Sequence, residues 1–177
     1  MSEKGTVYFF TGLSGAGKTT IGRLFYERLA ARKDNVVLKD GDGLRVRPEA
    51  EVDYSTEARI QRAKYRFAEY KAVADQGTDV VFCSIAMYDE VRQWNRANIE
   101  NYKEVYIKVP MELLYQRDKK GLYSSGAKNV VGVDLPWDEP TDPDIVIEND
   151  GSETPLDIVR RIEMEFFGES YDGGGPA

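Results

Sequence analysis

The run Gly12-Leu13-Ser14-Gly15-Ala16-Gly17-Lys18-Thr19 constrains this chain more than any other feature. It satisfies the pattern G-x-x-x-x-G-K-[ST] without a mismatch, and its surroundings agree with it. Before it lies Thr6-Val7-Tyr8-Phe9-Phe10-Thr11, a β-branched and aromatic run that reads as a buried strand stopped by glycine. After it, Ile21, Leu24, Phe25 and Leu29 recur at the spacing of one helical stripe. In such a loop the glycines let successive backbone N–H groups turn inward around phosphate oxygens, and the following helix points its positive end at the same anion. Lys18 is then placed to reach the β and γ phosphates of a nucleotide, and the Thr19 hydroxyl to ligate Mg²⁺. A glycine-rich turn that meets the pattern by chance is the alternative.

The rest of the chain repeats the alternation. Val36-Val37-Leu38 reads as a second strand closed by the turn Asp40-Gly41-Asp42-Gly43, and 56–76 as a long charged helix ended by Gly77. Strands follow at 79–85, 104–109 and 144–147, separated by helices at 89–98 and 111–117. Thr154 as N-cap with Pro155 behind it opens a last helix through Phe167. Alternating strands and helices require crossover connections, so the expected fold is α/β, a five-stranded parallel sheet with helices on both faces in a three-layer sandwich of the P-loop NTPase type. Ligands then bind at the carboxyl ends of the strands. Residues 1–167 are expected to form one domain, with 118–143 as a lid because so long an aperiodic stretch inside a domain is usually functional, and 168–177 as a flexible tail.

Composition removes several chemistries. The chain has no histidine, which excludes histidine bases, histidine metal ligands and Ser-His-Asp or Cys-His nucleophile systems. The single cysteine, Cys83, follows Val80-Val81-Phe82 and reads as a buried strand thiol rather than a nucleophile. A formal charge of −7 argues against nucleic-acid polymers and anionic membranes as partners, and no apolar window is long enough to span a bilayer, so the cytoplasm is expected.

Several residues beyond the loop are candidates for chemistry. Asp42 lies just past the second strand, where its carboxylate can accept a proton from an acceptor hydroxyl, and Asp40 can hold a metal-bound water. A plain turn accounts for the same residues. Arg45, Arg47, Arg59, Arg62 and Arg66 concentrate positive charge in an acidic chain, and Arg59, Arg62 and Arg66 share a helical face suited to an anionic substrate or to a solvated surface. Arg117, Lys119 and Lys120 can close over a nucleotide from the lid, or be solubilising charges. Tyr54 can stack on a base or serve as a packing staple, and Trp94 and Trp137 suggest only packing.

Taken with the phosphate loop and Thr20, the segments Asp40-Gly41-Asp42 with Arg45, Arg117-Asp118-Lys119-Lys120-Gly121-Leu122-Tyr123 and Pro136-Trp137-Asp138-Glu139-Pro140 resemble the adenylylsulfate (APS) kinases. The resemblance runs from Thr6 to about Asn149, and the lid segment is its most selective part. It implies transfer of the ATP γ-phosphate to the ribose 3′-hydroxyl of an activated nucleotide, with Mg²⁺ as cofactor. It implies an ATP site at Gly12, Ser14 to Thr20, Arg117 and Lys120. It implies an acceptor site at Asp40, Asp42, Arg45, Tyr54, Arg59, Arg62, Lys120 and Leu122, with Asp42 as base, Arg45 and Arg59 as anion contacts and Tyr54 in place of a base-stacking phenylalanine. Many members form dimers, so a homodimer is compatible with the resemblance.

The chain departs from the family on the acceptor side. Ala58-Arg59 stands for Asp-Arg, and Arg62-Ala63-Lys64 where members continue Asn-Ile-Arg-Arg. Ser84-Ile85-Ala86-Met87-Tyr88 replaces Ile-Ser-Pro-Tyr-Arg, Val130 or Val131 replaces a second stacking phenylalanine, and the lid is shorter. Losing half of a stacking clamp can cost about 1–3 kcal/mol per base, enough to change nucleotide preference. The acceptor is therefore expected to be APS or another activated nucleotide, such as a CDP-linked metabolite (cytidine diphosphoramidate, for example) used in surface-polysaccharide biosynthesis. A kinase for a sugar acid or aminoglycoside-like alcohol and a non-catalytic nucleotide switch are the competing readings. A GTPase is disfavoured because no Asn-Lys-x-Asp element follows the third strand.

Overall fold

The side chains of strand β1 (Val7–Thr11) are buried on both faces, which is possible only if helices cover the sheet above and below. The computed structural model describes residues 3–40, 55–85, 88–117 and 137–172. In chain order β1 is followed by α1 (Lys18–Ala30), β2 (Val36–Asp40), α2 (Thr56–Asp75), β3 (Asp79–Ser84), α3 (Asp89–Asn98), β4 (Tyr102–Lys108), α4 (Met111–Arg117), β5 (Ile145–Glu148) and α5 (Pro155–Phe167). The strands form one parallel sheet in the order β2-β3-β1-β4-β5. Alternation along β1 divides the core into two layers. Tyr8 and Phe10 pack with Ile21, Phe25, Leu29, Ile158 and Ile162 of α1 and α5. Val7 and Phe9 pack with Phe67, Tyr70 and Val91 of α2 and α3. The expected three-layer sandwich is the fold observed.

The strand ends differ from the sequence reading by one or two residues, and two of the differences bear on register and on the site. β4 begins at Tyr102 rather than Glu104, because Tyr102 and Lys103 pair in register with Val7 and Tyr8. β2 runs on to Asp40, which pairs with Cys83 and so stands at the carboxyl edge of the sheet rather than in a turn. Helix ends follow the expected chemistry: the Ser55 hydroxyl accepts from Ala58 N–H at 3.2 Å, and the Thr154 hydroxyl from Asp157 N–H at 3.2 Å ahead of Pro155. Cys83 is buried, as its neighbours suggested. The first residues of the tail read as flexible are in fact tied down. Arg28 makes a two-pronged bond to Glu163 at 2.8 Å and reaches Asp172 at 2.9 Å, Tyr171 N–H donates to Glu163, and the Tyr171 ring stacks on Phe167. Residues 173–177, and 118–136 of the stretch expected to form a lid, lie outside the described residues.

A polar seam joins α3 to β4 and to the segment that leads into β5. Arg92 is buried, pairs with Asp89 and donates to the Asp138 carbonyl at 2.9 Å. Glu104, 2% exposed, accepts from the Tyr102 hydroxyl at 2.8 Å, and its own N–H donates to Asp144. Burial pushes the Glu104 carboxyl above its ordinary pKa, against the Tyr102 bond and the charges of Arg92 and Arg96, which pull it down. A carboxyl raised in the native state binds its proton more readily folded than unfolded. It therefore makes stability fall as pH rises from the unfolded pKa to the native one, and adds no slope above that. Denaturant titrations between about pH 4 and 8 are expected to show a steeper fall in the parent than in Glu104→Gln, and equal slopes would contradict the burial argument.

Candidate active site

Because all five strands are parallel, their carboxyl ends share one edge of the sheet, and the segments that leave this edge build the site. β1 is followed directly by Gly12, where a Cβ would stand 2.5 Å from the Ile107 carbonyl oxygen of the neighbouring strand, so only glycine lets the loop leave the sheet. Gly15 and Gly17 hold φ of +84° and +97°, the left-handed conformation that turns the peptide N–H groups into a concave nest. Gly17 is also the N-cap of α1 and supplies no side-chain cap, which leaves the first N–H groups of the helix for an anion. Ser14 and Ala16 are buried in the loop, and Thr20 is exposed on the first turn of α1.

Lys18 is 3% exposed, and its Nζ lies 3.5 Å from the Leu13 carbonyl oxygen, so the side chain folds back across the loop instead of extending into solvent. The Thr19 hydroxyl donates to the Asp40 carboxylate at 3.3 Å. Two hard oxygen groups from different elements thus meet beside the loop. A site of this kind suits Mg²⁺, which accepts one or two protein oxygens and fills its remaining positions with phosphate and water. Among the described residues no group of three or more acidic or cysteine side chains forms an all-protein metal site.

Arg59 of α2 is half-buried against Tyr88, with its guanidinium 5.0 Å from the ring centroid and NH1 donating to the Tyr88 hydroxyl. Arg62, one turn on, is exposed, and Arg66 half-buried. Arg117 closes α4 and donates to the Asn149 carbonyl at 3.0 Å. The structure thus brings Gly12 to Thr19, Asp40, Arg117 and Asn149 around one edge. Asp42, Arg45, Tyr54, Lys120 and Leu122 lie outside the described residues.

Three neighbours of the site escaped the sequence reading. Tyr88 covers Arg59, Asn149 reaches the phosphate loop, and Gly22 sets the depth of α1 against the sheet. A Cβ on Gly22 would stand 2.3 Å from Cys83 Sγ. None belongs to a local pattern. The one signal was that Tyr88 falls in the segment where the chain departs from the family's Ile-Ser-Pro-Tyr-Arg.

A glycine-rich nest at the start of a helix, a buried lysine folded over it, and a hydroxyl–carboxylate pair at the edge of a parallel sheet define a P-loop nucleotide-binding protein. The adenylylsulphate kinase family matches residues 4–148. The chain is 40% identical to the cytidine diphosphoramidate kinase of Campylobacter jejuni over 84% of its own length and 89% of that protein's. It is 32% identical to a probable adenylyl-sulfate kinase of Archaeoglobus fulgidus, over 81% of this chain and 96% of that one. The Mycobacterium tuberculosis APS kinase solved with AMPPNP and APS shares the fold at a TM-score of 0.77 and 24% identity, covering 92% of this chain and 98% of that one. The chain belongs to the adenylylsulphate kinase family and is a phosphotransferase of that type. Among the described residues no helix is long and apolar enough to cross a membrane.

Proposed function

We propose that this protein transfers the γ-phosphate of ATP to the ribose 3′-hydroxyl of an activated nucleotide, in the manner of an APS kinase. The observation that carries this reading is the bond between Thr19 and Asp40 beside a loop across which the buried Lys18 folds. Charge developing on a transferred phosphoryl group needs fixed positive charge and hard-metal coordination in the same place. Mg²⁺ held by Thr19, with Asp40 on a metal-bound water, would neutralise the β and γ phosphates. Asp42, two residues beyond β2, takes the proton from the attacking hydroxyl as its oxygen bonds to the γ-phosphorus and the bond to the β-phosphate oxygen breaks. ADP and the phosphorylated nucleotide leave. Arg45 and Arg59 hold the anionic end of the acceptor, and Arg117 and Lys120 complete the ATP site.

A second reading, a CDP-linked acceptor, is favoured by the 40% identity to the C. jejuni cytidine diphosphoramidate kinase and by the substitutions that surround Arg59. Both readings share the ATP half, so one experiment separates them. ADP release from Mg·ATP is measured with APS, cytidine diphosphoramidate and plain nucleosides, each with the parent and Asp42→Ala. Fast, Asp42-dependent turnover of APS supports the first reading, and a preference for the cytidine acceptor supports the second. Full activity of Asp42→Ala would overturn the assigned base. In the same assay Arg59→Ala is expected to raise the acceptor KM roughly 10–100-fold, the worth of a charge-assisted contact, with the ATP KM unchanged. An equal rise in both would place Arg59 outside the acceptor site.

A further inference from the structure

The geometry points to Asn149 as a positioning residue for the phosphate loop, one that sets the Ala16–Gly17 peptide and couples it to Arg117 at the end of α4. Asn149 directly follows β5 and is tied down three times. Its backbone N–H donates to the Lys108 carbonyl at 2.9 Å, which extends the β4–β5 pairing by one bond beyond the strand. Its carbonyl accepts from Arg117 at 3.0 Å. Its side-chain amide donates to the Ala16 carbonyl at 2.9 Å, across 133 residues of sequence. Facing a carbonyl oxygen, the amide must present its NH₂ group, so the bond has one direction only.

The effect on the loop follows from peptide planarity. In a trans peptide the carbonyl and the next N–H point in opposite directions, so holding the Ala16 carbonyl toward Asn149 turns the Gly17 N–H away from it, to the other side of the peptide plane. Gly17 holds φ +97° and ψ 11°, a conformation that only the absence of a side chain makes easy. It also stands so close to Asn149 that a Cβ there would lie 2.7 Å from Nδ2. A glycine in that conformation has no side chain to lock it, and the anchor comes from the end of β5 instead. Since Arg117 is bonded to the same residue, α4 and the phosphate loop share one support. The inference rests on the nucleotide site alone and not on the identity of the acceptor.

The test uses the full chain with Asn149→Asp, which faces the Ala16 carbonyl with a carboxylate of the same size, and Asn149→Ala, which removes the donor. Mg·ADP binding is measured by calorimetry, thermal midpoints are taken without ligand, and the ATP and acceptor KM values and kcat are determined separately. ADP binding is expected to weaken about tenfold or more in Asn149→Asp and several-fold in Asn149→Ala, with the acceptor KM held within about twofold. A merely structural contact would lower the thermal midpoint and leave ADP affinity and ATP KM unmoved. That result, or ADP affinities within about twofold of the parent in both variants, would overturn the inference. If Asn149→Asp does not fold, Asn149→Ala decides alone. A parent chain that binds no ADP would instead overturn the nucleotide site itself.

Discussion

Replacing Lys18 by Met is expected to lower kcat by roughly 10²–10³-fold, the loss seen when one preorganised donor to developing charge is removed. The variant is expected to fold as the parent does. The Lys18 side chain is 3% exposed and its ammonium group lies 3.5 Å from the Leu13 carbonyl oxygen, so in the resting protein it spans the mouth of the loop. Methionine has a similar length and carries no charge, so it fills the same buried path while removing the ammonium group. The thermal midpoint is expected to move little, because the side-chain volume is kept, while turnover collapses. Steady-state kinetics with saturating ATP and acceptor check this, beside a melting curve. A kcat within about tenfold of the parent would show that Lys18 does not reach the transferred phosphate.

Gly22→Ala is expected to destabilise the protein by about 1–3 kcal/mol, the usual cost of forcing an extra methyl into a packed core. The sign is informative, because alanine in an exposed helix interior is better than glycine by about 0.5–1 kcal/mol. Gly22 is buried in the second turn of α1, and the added Cβ would stand 2.3 Å from Cys83 Sγ and 3.5 Å from Phe10 Cγ. Cys83 is fully buried, and its thiol donates to the Lys18 carbonyl at 3.5 Å, so the sulfur can swing aside only by giving up that bond. In a Cys83→Ala background the clash is gone, and the same Gly22→Ala change is expected to be neutral or stabilising. A double-mutant cycle by denaturant titration measures the coupling. Equal effects in the two backgrounds would show that the contact does not control the depth of α1. Because α1 begins with Lys18 and Thr19, a helix pushed outward also displaces the phosphate loop, and a rise in ATP KM is expected with the loss of stability.

The ten elements were legible because each rests on a local pattern. The Tyr8/Phe10 and Val7/Phe9 alternation, the Ile21-Phe25-Leu29 stripe and the Thr154-Pro155 start are settled within a few residues of chain, and periodicity exposes them. The loop was legible for the same reason, since Gly12, Gly15, Gly17, Lys18 and Thr19 all fall within one run of eight residues. The start of β4 was not, because Tyr102 and Lys103 become strand only through register with Val7 and Tyr8. Nor was the docking of Tyr171 and Asp172, which depends on Arg28 and Glu163 from two other helices.

By itself the sequence determined the layer architecture and the phosphate loop, since those follow from periodicity and from the spacing of the glycines, Lys18 and Thr19, and the resemblance carried by its motifs implied the class of reaction. Tertiary structure alone decided that Asp40 meets Thr19, that Tyr88 covers Arg59, that Cys83 limits Gly22 and that Asn149 holds the Ala16 carbonyl. Each of these is a contact between segments that only sheet order makes neighbours. β2 and β5 lie at opposite edges of the sheet in the order β2-β3-β1-β4-β5, and both carry residues to the loop that follows the central strand. Local sequence fixes which way a strand faces, but the crossover connections decide which strand ends share an edge.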